Sequence, residues 1–196
     1  MITNLIALWS RQGGPAATAN HLVALTDQDP GFTYPLPIAA RAWLEASQPR
    51  QAEQTIRRMF TLLPGSSLPY REAASFYLLV DRPSEAISTA TDGIAQFPAD
   101  PDLHLLQARA SLQLGDREAA IRSFDEALRL RPDDQLAAAQ LARLLVTARK
   151  DSGSRARALA LVHDLQFDQP SDEEVLTAIG EVGQLARQID AAQRPR

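Results

Sequence analysis

Histidine and acidic side chains are the groups of this sequence that could bind a metal ion or transfer protons. The three histidines, His21, His104 and His163, share no helical or turn spacing of the kind that gathers ligands around one ion. Each is more typical of an ordinary surface or edge position. Asp133-Asp134 follows a proline, where an acidic residue is expected to start and cap a helix. The sequence therefore predicts neither a metal site nor a cofactor.

The remaining composition narrows the function classes further. No nucleophile elbow, phosphate-binding glycine loop or paired-carboxylate motif occurs, so we expect a protein that is not an enzyme. The 196 residues carry a net charge of −4 without a basic stripe, which disfavours nucleic-acid binding. The absence of cysteine excludes disulfides and leaves the compartment open, cytoplasmic or periplasmic. No apolar run reaches the ~18 residues of a membrane span, and no signal peptide is predicted.

A regular period, of about 34 residues, organises the chain. It places four prolines in one register, and it repeats a stripe of small and large apolar residues in the segment that precedes each proline. The prolines are Pro30, Pro64, Pro98 and Pro132; the stripe is Ala120, Phe124 and Ala127 in one unit, Ala86, Ala90 and Gly93 in the unit before, and Ala52, Ile56 and Met59 before that.

Each unit is predicted to be a pair of helices. The stripe has the 4-and-3 spacing of one helix face, and a proline cannot continue the helix that it follows. Gly13-Gly14, Asp81-Arg82-Pro83 and Gly115-Asp116 break the units in the middle. Small residues mark close approaches of two backbones, so the hairpins are expected to bury their faces by stacking on one another.

The last part of the chain departs from this regular period. A fifth unit fits when four residues are inserted at Asp151–Ser154, a turn-forming DSGS cluster. Beyond it, Ala158, Val162 and Leu165 resume the stripe. A final segment, 173–189, repeats only the first half of a unit, with Leu176, Ile179 and Gly180 in register.

The pattern resembles the tetratricopeptide repeat family, whose unit of about 34 residues is two antiparallel helices. The second and third units carry the signature most fully. The fourth keeps the register but has His104, Gln107 and Ser111 where bulky apolar residues are usual, so Leu105, Leu106 and Leu112 are expected to supply the contact. The matching residues of the second unit are Leu36, Ala39, Ala40, Trp43, Ala52, Ile56, Met59 and Pro64; those of the third are Tyr70, Ala73, Ala74, Tyr77, Ala86, Ala90, Gly93 and Pro98.

The resemblance implies an all-α fold, a right-handed superhelical solenoid of five helix-turn-helix hairpins plus a C-terminal capping helix. The array is expected to be a single domain over residues 1–191, with a disordered tail at 192–196. The expected repeats are 1–32, 33–66, 67–100, 101–134 and 135–172, and the capping helix is 173–190.

In this family the first helix of each unit lines a concave groove that holds partner peptides. The groove positions then carry a row of Arg41, Ser75, Arg109 and Arg143, with Arg71 one turn before Ser75. Guanidinium groups suit carboxylate or phosphate recognition, which favours an acidic partner. The opposing interpretation is that nearby acidic residues, such as Glu181, simply pair with the row. The other expected groove residues are Asn4, Arg11, Glu45, Glu72, Leu79, Gln113 and Gln140.

The predicted function is that of a protein–protein interaction scaffold that binds a peptide or helix in this groove. The alternative is a non-catalytic module excised from a larger bacterial protein, such as an exopolysaccharide-secretion or pilus-assembly component or an enzyme. The first helix carries Met1, Leu5 and Leu8 on the edge where a preceding helix would pack. This edge predicts either excision from a longer array or weak homodimerisation.

Overall fold

The computed structural model of the chain describes residues 2–148, 151–167 and 172–193, and these form ten α-helices and no strand. They divide between two compact units, Met1–Phe97 and Pro98–Arg196. The helices of the first unit are α1 (Ile2–Gln28), α2 (Pro35–Glu45), α3 (Pro49–Leu62), α4 (Leu68–Leu79) and α5 (Pro83–Gln96); those of the second are α6 (Pro101–Gln113), α7 (Arg117–Leu130), α8 (Gln135–Ala148), α9 (Ser152–Phe167) and α10 (Glu173–Gln193).

The hairpin turns repeat one backbone motif at the predicted period. Ser47, Asp81 and Gly115 each follow the first helix of a hairpin and have φ of 58°, 57° and 79°. Beyond each of them, the next backbone N–H returns to the carbonyl oxygen five residues earlier, at 2.8–2.9 Å. This is the Schellman arrangement, in which a left-handed residue lets the end of a helix satisfy its last carbonyl groups.

The first predicted break lies inside α1. Gly14 has φ 73° and ψ −174°, values outside the helical region, so α1 consists of two helical segments that meet at this residue. Pro15 directly follows the break, at the first position of the second segment, where its missing N–H has no helical partner to lose. The first unit of the repeat therefore also consists of two helical segments.

The predicted apolar stripe forms the core of both units. Ala52, Ala86 and Ala120 are fully buried, as are Ala90 and Phe124 among the residues one turn later. The stripe of the fifth repeat, Ala158, Val162 and Leu165, is buried as well. Alanines at these positions let helix backbones approach closely, and the larger residues fill the space beside them.

The fourth repeat packs differently from the expectation. His104, expected at a surface or edge, is buried with 8% of its surface exposed, and its Nε2 lies 3.2 Å from the carbonyl oxygen of Pro98. Leu105 and Leu112 are half-buried and pack against the core as expected. Leu106 is also half-buried, and the fully buried leucine of α6 is Leu103. Helix α6 therefore turns Leu103 inward.

Polar residues take the remaining signature positions of α6. Ser111 Oγ donates to the carbonyl oxygen of Gln107 at 2.9 Å, and Ser123 Oγ of α7 donates to Gln107 Oε1 at 2.8 Å. These bonds satisfy polar groups that the hairpin buries, because an unpaired buried group would be destabilising.

Acidic residues cap the helices of the second unit. Asp116 Oδ1 accepts from the N–H of Ala119, and Asp134 Oδ1 accepts from that of Ala137, both at 2.9 Å. The DSGS segment has the same role: Asp151 Oδ1 accepts from the N–H of Ser154 at 2.8 Å, and the residues from Ser152 onward are already helical. The inserted segment thus starts α9 directly.

Helix α10 covers one side of the second unit with Val175, Ala178, Val182 and Ala186, all buried. Leu176, expected at a signature packing position, is 50% exposed, because among the described residues no further helix packs on that face. The helix ends at Gln193, two residues into the segment expected as a tail, and 194–196 lie outside the described residues. The domain and repeat boundaries otherwise stay predictions.

Candidate functional site

A cavity of about 830 Å³ opens between the first helices of two successive hairpins in the first unit. We call it the α2–α4 groove. Its apolar side is formed by three aliphatic side chains, of which Leu79 is 70% exposed. Four of the predicted groove residues, Arg41, Glu45, Ser75 and Leu79, lie on its walls. The residues that line it are Arg41, Leu44, Glu45, Ser47, Pro49, Ser75, Leu79 and Val80.

A much smaller cavity of about 30 Å³ adjoins this groove, and we call it the side cavity. It has room for one water molecule or one small polar group. The two cavities share four lining residues, so a group bound in the larger one can reach the smaller. The side cavity is lined by Ala40, Arg41, Leu44, Ile56, Glu72, Ser75, Phe76 and Leu79.

Glu72 is the carboxylate of the side cavity. Burial in the protein raises its pKa above the ordinary value of 4.5, because a desolvated carboxylate is less stable in its charged form. The positive charges of Arg41 and Arg71 oppose this rise. Three of the predicted groove residues, Arg41, Arg71 and Glu72, therefore interact electrostatically in the structure. The two arginines already have the Glu72 carboxylate as a counter-charge.

In the second unit, the predicted groove residues lie on α6 and α8. Arg109 is exposed and forms no ion pair with any described residue, and Gln113 is exposed near the end of the same helix. Gln140 Nε2 donates to Glu174 Oε1 of α10 at 2.9 Å. Arg143 Nη1 lies 3.8 Å from Glu181 Oε2, so Arg143 is the member of the row for which pairing with Glu181 is observed.

Sequence reasoning missed two apolar residues of the α2–α4 groove, Leu44 and Val80, although it included Leu79. The available signal was the apolar run at 78–80, which extends past the residues needed for the signature. A second cavity, of about 600 Å³, was also not predicted. It lies between α1 and α3 over Leu36 and Trp43, and Arg58 on its rim is paired with Asp27.

The predicted self-association edge is described only in part. Met1 lies outside the described residues, and the side chain of Leu5 is likewise not described. Leu8 is 46% exposed. Trp9 beside it is half-buried and stacks on His21, with 4.8 Å between the ring centroids.

Within 2–148, 151–167 and 172–193, no group of three or more histidine, cysteine or acidic residues is placed to hold a metal ion. None of the helices in those ranges is both long and apolar enough to span a bilayer.

A family model matches part of the repeated region. Residues 77–144 match the model of the tetratricopeptide repeat family. A comparison with the curated proteins finds no match to this chain.

Solved structures with a similar fold include a tetratricopeptide repeat protein and a pilus biogenesis factor. A thermophilic TPR protein of Thermus thermophilus is 19% identical with a TM-score of 0.67, covering 91% of this chain and 95% of that one. MamA of Desulfovibrio magneticus RS-1 is 17% identical with a TM-score of 0.65, covering 86% and 95%. PilW, described as a type IV pilus biogenesis factor, is 17% identical with a TM-score of 0.66, covering 97% and 89%.

The expected resemblance to the tetratricopeptide repeat family and the all-α helical-repeat fold are thus confirmed. At identities this low, the similarity to these structures shows the fold alone. A fold of this class is a protein–protein interaction scaffold and is generally a non-catalytic module.

Proposed function

We propose that this helical-repeat protein binds an extended peptide or a helix of a protein partner in the α2–α4 groove. The observation that supports this most directly is the groove itself, a cavity of about 830 Å³ with Leu79 70% exposed at its wall. Cavities of this size, mostly apolar with a few polar groups, are typical of binding sites. An exposed leucine beside Leu44 and Val80 offers an anchor for an apolar side chain of the partner.

The arginine row adds a separate, charged contact in the second unit. Arg109 is the member of the row there that has no ion-pair partner among the described residues, whereas Arg143 lies beside Glu181. An acidic side chain that binds the second unit would therefore gain most at Arg109. Such a contact is screened by salt, so affinity falls as ionic strength rises and falls on Arg109→Ala.

A peptide-display selection on the purified protein tests the groove. We expect peptides whose affinity drops at least about tenfold on Leu79→Glu, because a charge replaces the central apolar contact. Leu159→Glu is the matched control, since Leu159 is 41% exposed and lies outside the groove lining. Circular dichroism checks that both variants fold. Selected peptides that bind both variants as tightly as the wild type contradict the proposed site.

Arg109 has its own test, with acidic peptides that bind the second unit. Arg109→Glu should weaken the binding of such a peptide, because it replaces the positive charge with a negative one. An acidic peptide that binds this variant unchanged removes Arg109 from the site. The alternative is a non-catalytic module of a larger bacterial protein, whose function is set by domains outside this chain.

A further inference from the structure

Among the described residues, Glu72 is the one carboxylate that lines the side cavity of the first unit, and the proposed function does not use it. It lies half-buried on α4, whereas Arg41, on α2, is exposed and lines both the side cavity and the α2–α4 groove. A ligand in the groove that reaches Arg41 therefore also meets Glu72. Arg41 and its counter-charge, Glu72, would thus act together on a bound ligand.

We propose that Glu72 is a specificity-determining residue of the α2–α4 groove, where it excludes a partner's carboxylate and selects a neutral hydroxyl or amide beside Arg41. This inference rests on the proposed function of the groove. It commits to a partner segment that is apolar along the groove and carries one small neutral polar side chain at the side cavity.

The first step of the argument is size. The side cavity has about 30 Å³, which accommodates the tip of one side chain and not a longer segment. Its walls are otherwise apolar, so a polar tip must find its partners at Arg41, Glu72 or Ser75. A hydroxyl and an amide each have a donor and an acceptor. Either group can therefore donate to the Glu72 carboxylate and accept from Arg41 or Ser75.

The second step is charge. The charged groups that act on Glu72 are Arg41 from α2 and Arg71 from its own helix; α3 and α5, packed on α4, contribute none among the described residues. Glu45, also from α2, lines the neighbouring groove and brings a second carboxylate. The charges of the two arginines and the two glutamates sum to zero. An added carboxylate would therefore be left without a counter-charge in a partly desolvated site.

The third step is the proton. Burial already raises the pKa of Glu72, and a segment that buries it further without donating a hydrogen bond to it favours the protonated form. A partner carboxylate adds like-charge repulsion in the same direction. An acidic side chain therefore binds here together with uptake of a proton by Glu72, and its affinity increases as the pH falls.

Isosteric peptides test this inference. The probes are the synthetic peptides recovered with the wild type by display whose binding requires Leu79, each remade with Asn and with Asp at every polar position in turn. At one position, we expect the Asn peptide to bind the wild type about tenfold more tightly than the Asp peptide at pH 7.5. Fluorescence anisotropy measures both affinities.

Glu72→Gln should remove this preference, since the amide no longer repels Asp. Glu85→Gln is the matched control: Glu85 is paired with Arg82 outside both cavities and should keep the preference. Lowering the pH from 7.5 to 5 should narrow the difference between the two peptides in the wild type and leave Glu72→Gln unaffected.

The outcomes separate the two proposals. Leu79-dependent peptides that show no Asn-over-Asp preference, or a preference that persists in Glu72→Gln, overturn the inference and leave the groove in place. A selection that yields no Leu79-dependent peptide overturns the proposed function, and the inference fails with it.

Discussion

Ser47 and Asp81 occupy the same left-handed backbone conformation, with φ of 58° and 57°, at positions that differ by one full period of the repeat. The equivalent position of the next hairpin is Gly115, with φ 79°. Residues with a Cβ are destabilised in this region by about 1 kcal/mol or more, and glycine is hardly affected. The turn therefore imposes strain at two of its three described occurrences.

This geometry predicts that Ser47→Gly and Asp81→Gly each stabilise the protein by about 0.5–1 kcal/mol, and that Gly115→Ala destabilises it by about 1 kcal/mol. Urea unfolding followed by circular dichroism measures the change. Ser67→Gly is the matched control, because Ser67 has φ −72° and should gain nothing. A loss of stability in both glycine variants would contradict the argument.

Ala120 tests the packing of the stripe. It is fully buried, so Ala120→Leu should over-pack the core of the second unit and lower its stability by about 1–3 kcal/mol. Arg122→Leu, at an exposed position of the same helix, should change stability by no more than about 0.5 kcal/mol. Equal melting temperatures for the two variants would show that the stripe does not pack as described.

Asp133 and Asp134 are neighbours with different roles. Asp134 accepts from the N–H of Ala137 and lies 3.4 Å from Arg131, whereas Asp133 is exposed. Asp134→Ala should therefore lower the free energy of unfolding by about 1 kcal/mol through loss of the helix cap. Asp133→Ala should remain within about 0.5 kcal/mol. Reversal of this order in urea unfolding would place the cap at Asp133.

The raised pKa of Glu72 predicts an unusual pH dependence. The folded state binds the proton more readily than the unfolded state, whose pKa is 4.5. Above the pKa of the folded state, the buried charge of Glu72 lowers the stability of the protein by its full amount. This destabilisation decreases as the pH falls from that pKa to the unfolded value of 4.5. Glu72→Gln should stabilise the protein at pH 7, and this gain should vanish below pH 4.5.

Glu85 provides the opposite case for the same experiment. The hydrogen bond from Arg82 lowers the pKa of Glu85, so its contribution is present above 4.5 and is lost as the pH falls through the folded pKa. Glu85→Gln should destabilise slightly at pH 7, less so in high salt because the pair is exposed. Thermal melts of both variants from pH 3 to 8 measure the two signs. A Glu72→Gln variant that is less stable than the wild type at pH 7 would show that the arginines outweigh burial.

The exposed apolar edge of the first helix leads us to expect a weak self-association. Leu8 is 46% exposed at the edge of α1, and Leu8→Glu should abolish any concentration-dependent increase in the scattering mass by adding a repelling charge. Light scattering over a concentration series measures this, with Leu159→Glu as the control for removing an exposed leucine. A wild type that stays monomeric at millimolar concentration rules out the homodimer.

The sequence by itself determined the repeat and the location of its turns. Prolines at a constant interval end the second helices, and the small-large-small stripe marks their buried faces. Ala86, Ala120 and Phe124 are buried as predicted. These features are predictable because they follow from local backbone rules and from a core built between neighbouring segments of the chain.

Only the tertiary structure decided which side chains are neutralised or buried. It placed Glu72 in a side cavity beside Arg41, set Arg143 near Glu181, and buried His104 where a surface position was expected. The period assigns each of these residues to a face of its helix. The charge environment and the burial of each residue depend on side chains that are distant in sequence and whose types vary between repeats. The spacing alone therefore does not predict either property.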